Sequence, residues 1–208
     1  PVRIVHWAIV ALLAFSWWAA EDHLNWHRWS GYAVIGLVAF RIYWGFAGAG
    51  AARFDSFVRG PRATLAYLKS LPSREPSTVP GHNPLGALSV LVILAVLVIQ
   101  VGTGLFAVDI DAFEGGPLSD RVSFELGRRI AEWHELTFRV LQGLVVLHIL
   151  AIGFYFVWKR TNLVGPMITG RRVLPSDPGL AGAPAWRLVL GVALAAAFAW
   201  AVAKGFRF

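Results

Sequence analysis

Six histidines carry the chemistry that this sequence can do: His6, His23, His27, His82, His134 and His148. His134 and His148 stand fourteen residues apart in one apolar stretch. On a helix that spacing is roughly 40° from a whole number of turns and rises roughly 21 Å, so both rings face one side at opposite ends. An ionisable side chain inside a membrane segment is costly and usually functional. Two neutral imidazoles facing one another across a helix bundle can fill both axial positions of a haem iron and leave no open site for oxygen. The sequence must therefore supply each of His134 and His148 with a partner histidine at its own depth.

The elements that would position them are read from apolarity. Of 208 residues 57% are hydrophobic and 15% charged, against roughly 25% charged in soluble domains. The apolar residues fall into runs near the roughly 20 residues that a helix needs to cross a bilayer. Spans are expected at about Ile4–Ala20, Trp29–Ala47, Leu85–Val108, Trp133–Trp158 and Trp186–Ala203. Between the second and third, Pro61–Leu71 reads as an amphipathic helix on the membrane surface, with Pro61 suiting its first turn and Pro72 its stop. Several of the ten tryptophans lie at segment ends, where indole prefers the headgroup level. A cleaved leader is the competing reading of residues 1–20, but the apolar run exceeds the 7–15 residues of such a segment. With no cysteine, disulfides, iron–sulfur clusters and covalent c-type haem are excluded.

Loop charges set the expected orientation. Gly48–Pro84 carries Arg53, Arg59, Arg62, Lys69 and Arg74 against Asp55 and Glu75, and Lys159–Ala185 is likewise basic. Asp109–Glu132 is acidic, with six carboxylates against Arg121, Arg128 and Arg129. Positive loops stay in the cytoplasm, so the N-terminus is expected there and the C-terminus in the periplasm, within a bacterial inner membrane. The net charge of +7 is then a topology signal and no nucleic-acid footprint.

This topology makes two pairs. His6, at the cytoplasmic start of the first span, matches His148 as ligands of an inner haem iron. His27, at the outer start of the second, matches His134 as ligands of an outer one. His23 is the rival to His27, since residues four apart share a helix face. Zinc needs three or four converging ligands, which two pairs so far apart do not give.

The motifs PVRIVHW (Pro1–Trp7), HRWSGY (His27–Tyr32), GHNPLG (Gly81–Gly86), WHE (Trp133–Glu135) and LHI (Leu147–Ile149) resemble those of the bacterial cytochrome b561-like family of di-haem membrane cytochromes. Within it the likeness is to the b-type subunits related to those of nickel–iron hydrogenases. The resemblance covers the first four spans. It implies an all-α membrane protein: a four-helix transmembrane haem-binding bundle over residues 1–160, followed by a cytoplasmic linker and fifth transmembrane helix over 161–208. It also implies two haem b groups on the four histidines, with a quinone as the lipid-side partner.

Around the ligands, Gly31 leaves room for a flat macrocycle, and Gly36, Gly102, Gly104 and Gly143 do the same or serve helix contacts. Arg41, fourteen residues after His27, reaches the inner depth, where it either pairs with a haem propionate or snorkels; Arg3 carries the same two readings. His82 and Asn83 open the third span near the inner haem as a candidate quinone pocket, although Asn83 before Pro84 also reads as a helix cap. The acidic outer loop suits a basic periplasmic redox protein, such as a c-type cytochrome, or a dehydrogenase or hydrogenase subunit. Three functions follow in order. The first is transmembrane electron transfer between such a partner and the quinone pool. The second is a superoxide:quinone oxidoreductase using Arg28, Arg128, Arg129 and Arg139. The third is an anchor subunit.

Overall fold

The structure, a computed structural model, describes residues 1–74, 81, 83–109, 114–171, 179 and 182–207. Its elements run α1 (Val2–Ala19), α2 (Leu24–Ala47), α3 (Phe54–Phe57), α4 (Pro61–Lys69), α5 (Pro84–Gly104), β1 (Val108–Asp109), β2 (Glu114–Gly115), α6 (Phe124–Val157), α7 (Val164–Thr169) and α8 (Ala185–Ala203). Five of them, α1, α2, α5, α6 and α8, are long and apolar enough to cross a membrane. The fold is thus the all-α membrane bundle that the apolar runs predict.

The boundaries differ from the hydropathy reading where polar residues continue a helix past the apolar run. Helix α2 starts at Leu24 rather than Trp29, which places His27 within its first turn. Helix α6 starts at Phe124 rather than Trp133; its 34 residues would rise about 51 Å, well over a hydrocarbon core of about 30 Å. The extra turns are amphipathic and held by Arg128–Glu132 (2.9 Å) and Arg129–Glu125 (3.2 Å), each one turn apart. Local chemistry sets the starts. The Ser123 hydroxyl accepts from the Leu126 amide, Asn83 accepts from Gly86, and Pro61 and Pro84 occupy first turns where no amide donor is needed. Helix α5 stops at Gly104, and the chain leaves it into the antiparallel pair β1–β2.

Helix α1 packs along α2, α5 along α6, and α2 touches α5, in a four-helix arrangement; α8 packs on α2. The α2–α8 seam depends on small residues. A Cβ on Gly36 would stand 3.4 Å from Ala199, and one on Gly191 would overlap the Tyr43 ring. Without a hydrophobic force between helices in lipid, such close packing is what holds them. Gly36 thus serves a helix contact. The bundle centre is a layer of Val34, Val38, Leu97 and Leu141, each at most 4% exposed. By contrast Leu150, Val157 and Val189 are exposed, as side chains facing lipid must be.

The two ends differ. The end bearing Pro1, named inner after the charge reading, has α4 fastened to the tip of α6. Trp158 donates its indole N–H to the Pro72 carbonyl at 3.2 Å, and Lys159 Nζ donates to the carbonyls of Ser70 and Ser73. At the outer end β1–β2 lies over the bundle, tied to α2 by Arg28, which bonds the Gly115 carbonyl and pairs with Glu114, both within 2.9 Å.

Candidate functional site

Three helices bring four histidines into two facing pairs. On α6, His134, Leu141, His148 and Tyr155 follow one another at intervals of seven, and seven residues are close to two turns, so all four share a face. Opposite His134 stands His27 of α2, with ring centroids 6.0 Å apart; opposite His148 stands His6 of α1, at 6.4 Å. Two imidazoles sharing one metal ion through bonds of about 2.0–2.1 Å have centroids roughly 6 Å apart. Both pairs stand at the spacing that a bis-imidazole iron needs. His23 takes no part in either pair: it is exposed, sits at the N-cap of α2, and packs on Trp18 at 5.1 Å.

The outer pair is anchored from behind. His27 Nδ1 lies 2.9 Å from the Ser16 carbonyl oxygen and 3.0 Å from its hydroxyl. His134 Nδ1 lies 2.9 Å from the Gln100 carbonyl oxygen and 3.1 Å from the Thr103 hydroxyl. A ring that donates through Nδ1 to a carbonyl has its tautomer fixed and presents Nε2 as the free lone pair for a metal. At His134 the Gln100 side-chain amide reaches that lone pair at 3.1 Å and is itself held by the Thr137 hydroxyl. His134 would hold an iron through Nε2 by giving up this one bond, with the carbonyl anchor kept. Helix α5 carries no histidine, yet it builds the seat of the outer ligand, and Gly104 makes the space: a Cβ there would come 2.9 Å from His134 Cε1.

Around this pair is an apolar cavity whose lining includes Leu13, Trp17, Gly31, Val34, Gln100 and Phe138 together with both histidines. Gly31 faces it with nothing within 4 Å of where a Cβ would be, as do Gly102 and Gly143 in their own places. Such an apolar slot beside two imidazoles fits a flat porphyrin.

The inner pair has a different surrounding. Neither ring makes a side-chain hydrogen bond among the described residues. Arg41 is 8% exposed, and its Nη1 is buried with no partner, the one such side-chain atom among the described residues. The guanidinium lies over the Phe54 ring at 5.0 Å. Its neighbours Phe40 and Trp44 pack with Val5, next to His6, so Arg41 sits at the depth of the inner pair. A buried guanidinium with an orphaned donor is costly unless an anion meets it, which is the chemistry of a propionate. Arg3 donates to the Ile168 carbonyl at 2.8 Å.

Below His148 the sequence reading missed a polar cluster. The Tyr155 hydroxyl is 2.9 Å from that of Tyr67 on α4, and the Asn83 side chain reaches Tyr155 as well. Tyr155 is buried, at 6% exposed. The seven-residue step from His148 is the signal that could have found it. Asn83 both caps α5 and joins this cluster; His82 lies outside the described residues. At the outer end Arg28, Arg128, Arg129 and Arg139 are each paired with a carboxylate: Glu114, Glu125 and Glu132, Glu125, and Glu135 respectively.

Comparison with known proteins follows this geometry. The family model described as prokaryotic cytochrome b561 matches residues 1–170. A protein of Azotobacter chroococcum mcd 1 named "Probable Ni/Fe-hydrogenase B-type cytochrome subunit" is 26% identical over 167 residues, covering 73% of this chain and 68% of its own. No solved structure matches the chain. The match covers α1 to α7 and leaves α8 outside it.

Proposed function

This chain belongs to the prokaryotic cytochrome b561 family, multi-pass membrane proteins that carry electrons through b-type haem, and we propose that it holds two haems in line across the bilayer. The observation that supports this reading is the pair of facing histidine couples, 6.0 and 6.4 Å between ring centroids, at opposite ends of one helix face. His27 and His134 would hold the outer haem, and His6 and His148 the inner. Haem held there would supply one-electron redox chemistry.

The chain's own groups do the remaining work. Ser16 and Gln100 orient the outer imidazoles through their carbonyls, and Gly31 keeps one face of the slot clear. Arg41 meets a propionate at the inner end. The buried apolar layer of Val34, Val38, Leu97 and Leu141 separates the two sites. Tyr155, Tyr67 and Asn83 form the inner quinone site, offering hydroxyl and amide donors to a ring carbonyl.

Electrons pass between a periplasmic redox protein, of the dehydrogenase or hydrogenase subunit or c-type cytochrome class, and the quinone pool. The similarity to a protein named as a hydrogenase B-type subunit supports a protein partner, and the acidic loop between α5 and α6 is its contact. The N-terminus is cytoplasmic and the C-terminus periplasmic. A superoxide:quinone oxidoreductase would need free cations at the outer end, whereas all four candidate arginines there are ion-paired. Proteoliposomes with trapped ferricyanide and dithionite added outside test the wire. Bleaching is expected for the wild-type chain and lost in His134→Ala; equal bleaching in that variant would refute the assignment.

A further inference from the structure

The two histidine pairs are not equivalent, and their differences have one sign. The outer rings both have Nδ1 on a backbone carbonyl, Ser16 for His27 and Gln100 for His134, each at 2.9 Å. A carbonyl that accepts from Nδ1 raises the basicity of the coordinating nitrogen. A more basic ligand favours the ferric over the ferrous ion, so it lowers the reduction potential. The inner rings have no such bond among the described residues.

The charges act in the same direction. Beside the inner pair lies the buried Arg41 guanidinium with an unpartnered Nη1. By meeting a propionate, that guanidinium offsets a negative charge that would otherwise favour ferric iron beside it, and so raises the potential. The wider field agrees. Among the described residues the inner end has eleven lysines and arginines and one carboxylate, Asp55, which Arg53 already pairs. The outer end has seven such cations against eight carboxylates. Summed charge of this kind sets a potential across the molecule.

We propose, building on the two-haem reading above, that the chain fixes the direction of flow: the outer site has the lower reduction potential, the inner the higher, and electrons run from the outer to the inner end. Ser16, Gln100 and Arg41 are the positioning residues that set this gradient. With haem held at both sites, one electron would pass from the His27–His134 site, oxidised in the step, to the His6–His148 site, reduced in it. No bond forms or breaks between the sites, and no proton crosses the apolar layer. The donor outside must then be a one-electron reductant or a multi-centre protein that delivers electrons singly, and the acceptor inside a quinone taking two.

Potentiometric titration of the purified haem-loaded protein, followed optically, tests this. Two components are expected in the wild type. His148→Ala, keeping the outer site, should retain the lower-potential component, and His134→Ala the higher. Arg41→Met should lower only the upper component, and Arg41→Lys, which keeps the charge, should restore it. Gly104→Ala, which pushes His134 off the Gln100 carbonyl, should raise only the lower one. Should a histidine variant fail to accumulate, the Arg41 shifts decide alone. Equal potentials, the reverse order, or an Arg41→Met protein with both haems and unchanged potentials would overturn the proposal while leaving the two-haem reading intact. A wild-type protein without two haems would overturn that reading first.

Discussion

The imidazole of His134 is held by the backbone carbonyl of Gln100, 2.9 Å from its Nδ1, on a helix that has no histidine of its own. The ligand comes from α6, its orientation from α5. Gly104, one turn further on, is what lets the two helices close on that ring, because any Cβ there would meet it at 2.9 Å. Gly104→Ala should therefore weaken haem retention at the outer site by roughly 10–100-fold, the scale of lost ligand orientation. Haem content after dilution into detergent, compared with the wild type, measures it; full retention would show that the ring has room to shift.

The ligand set makes a simple stoichiometric prediction. His148→Ala should drop the haem-to-protein ratio from two towards one, and His6→Ala should do the same. His23→Ala should leave it at two, because His23 is exposed and packs on Trp18. A pyridine haemochrome assay against protein concentration reads all three, and a lost haem in His23→Ala would reassign the outer ligand.

Tyr155 is the residue expected to couple haem to quinone. Tyr155→Phe removes one hydroxyl from a buried cluster, a change costing about 1 kcal/mol in stability, and should leave both haems bound. Its reaction with a short-chain quinone should slow by at least tenfold, with the parallel change in Tyr67→Phe. Stopped-flow reoxidation of dithionite-reduced protein by added quinone follows this. Unchanged rates in both variants would move the quinone site away from the inner end.

Leu141, midway between the two ligands of α6 and 2% exposed, should matter to the fold more than to the cofactors. Leu141→Ala opens a cavity in the central layer, and buried Leu→Ala changes cost about 2–5 kcal/mol in soluble cores. The lower part of that range is expected, since in lipid the loss is one of packing. A thermal melt in detergent should show a lower midpoint with haem content unchanged; an undiminished midpoint would mean that the layer is loosely packed.

The spans and the histidine partners were legible because each rests on a single strong regularity. Apolar length marks a membrane helix, and fourteen residues between His134 and His148 set depth and face together. What escaped was everything that depends on polar atoms inside those spans. Gln100 and Thr103 lie in the third apolar run, and hydropathy averages them away although they seat His134. Helix α6 begins nine residues before the apolar run, because its first turns are stabilised by ion pairs rather than by lipid. Counting from His27 puts Arg41 at the inner depth, but its unpartnered Nη1 is a property of packing. Tyr155 needed the fold to bring Tyr67 and Asn83 to it from α4 and the start of α5.

The central claim is that two bis-histidine haems occupy one chain. Pyridine haemochrome analysis of the detergent-purified protein, with low-temperature EPR of its oxidised form, tests it most directly. The account predicts two b haems per chain, both low-spin with imidazole on each side. One haem or none, or a high-spin signal from an open coordination site, would contradict it.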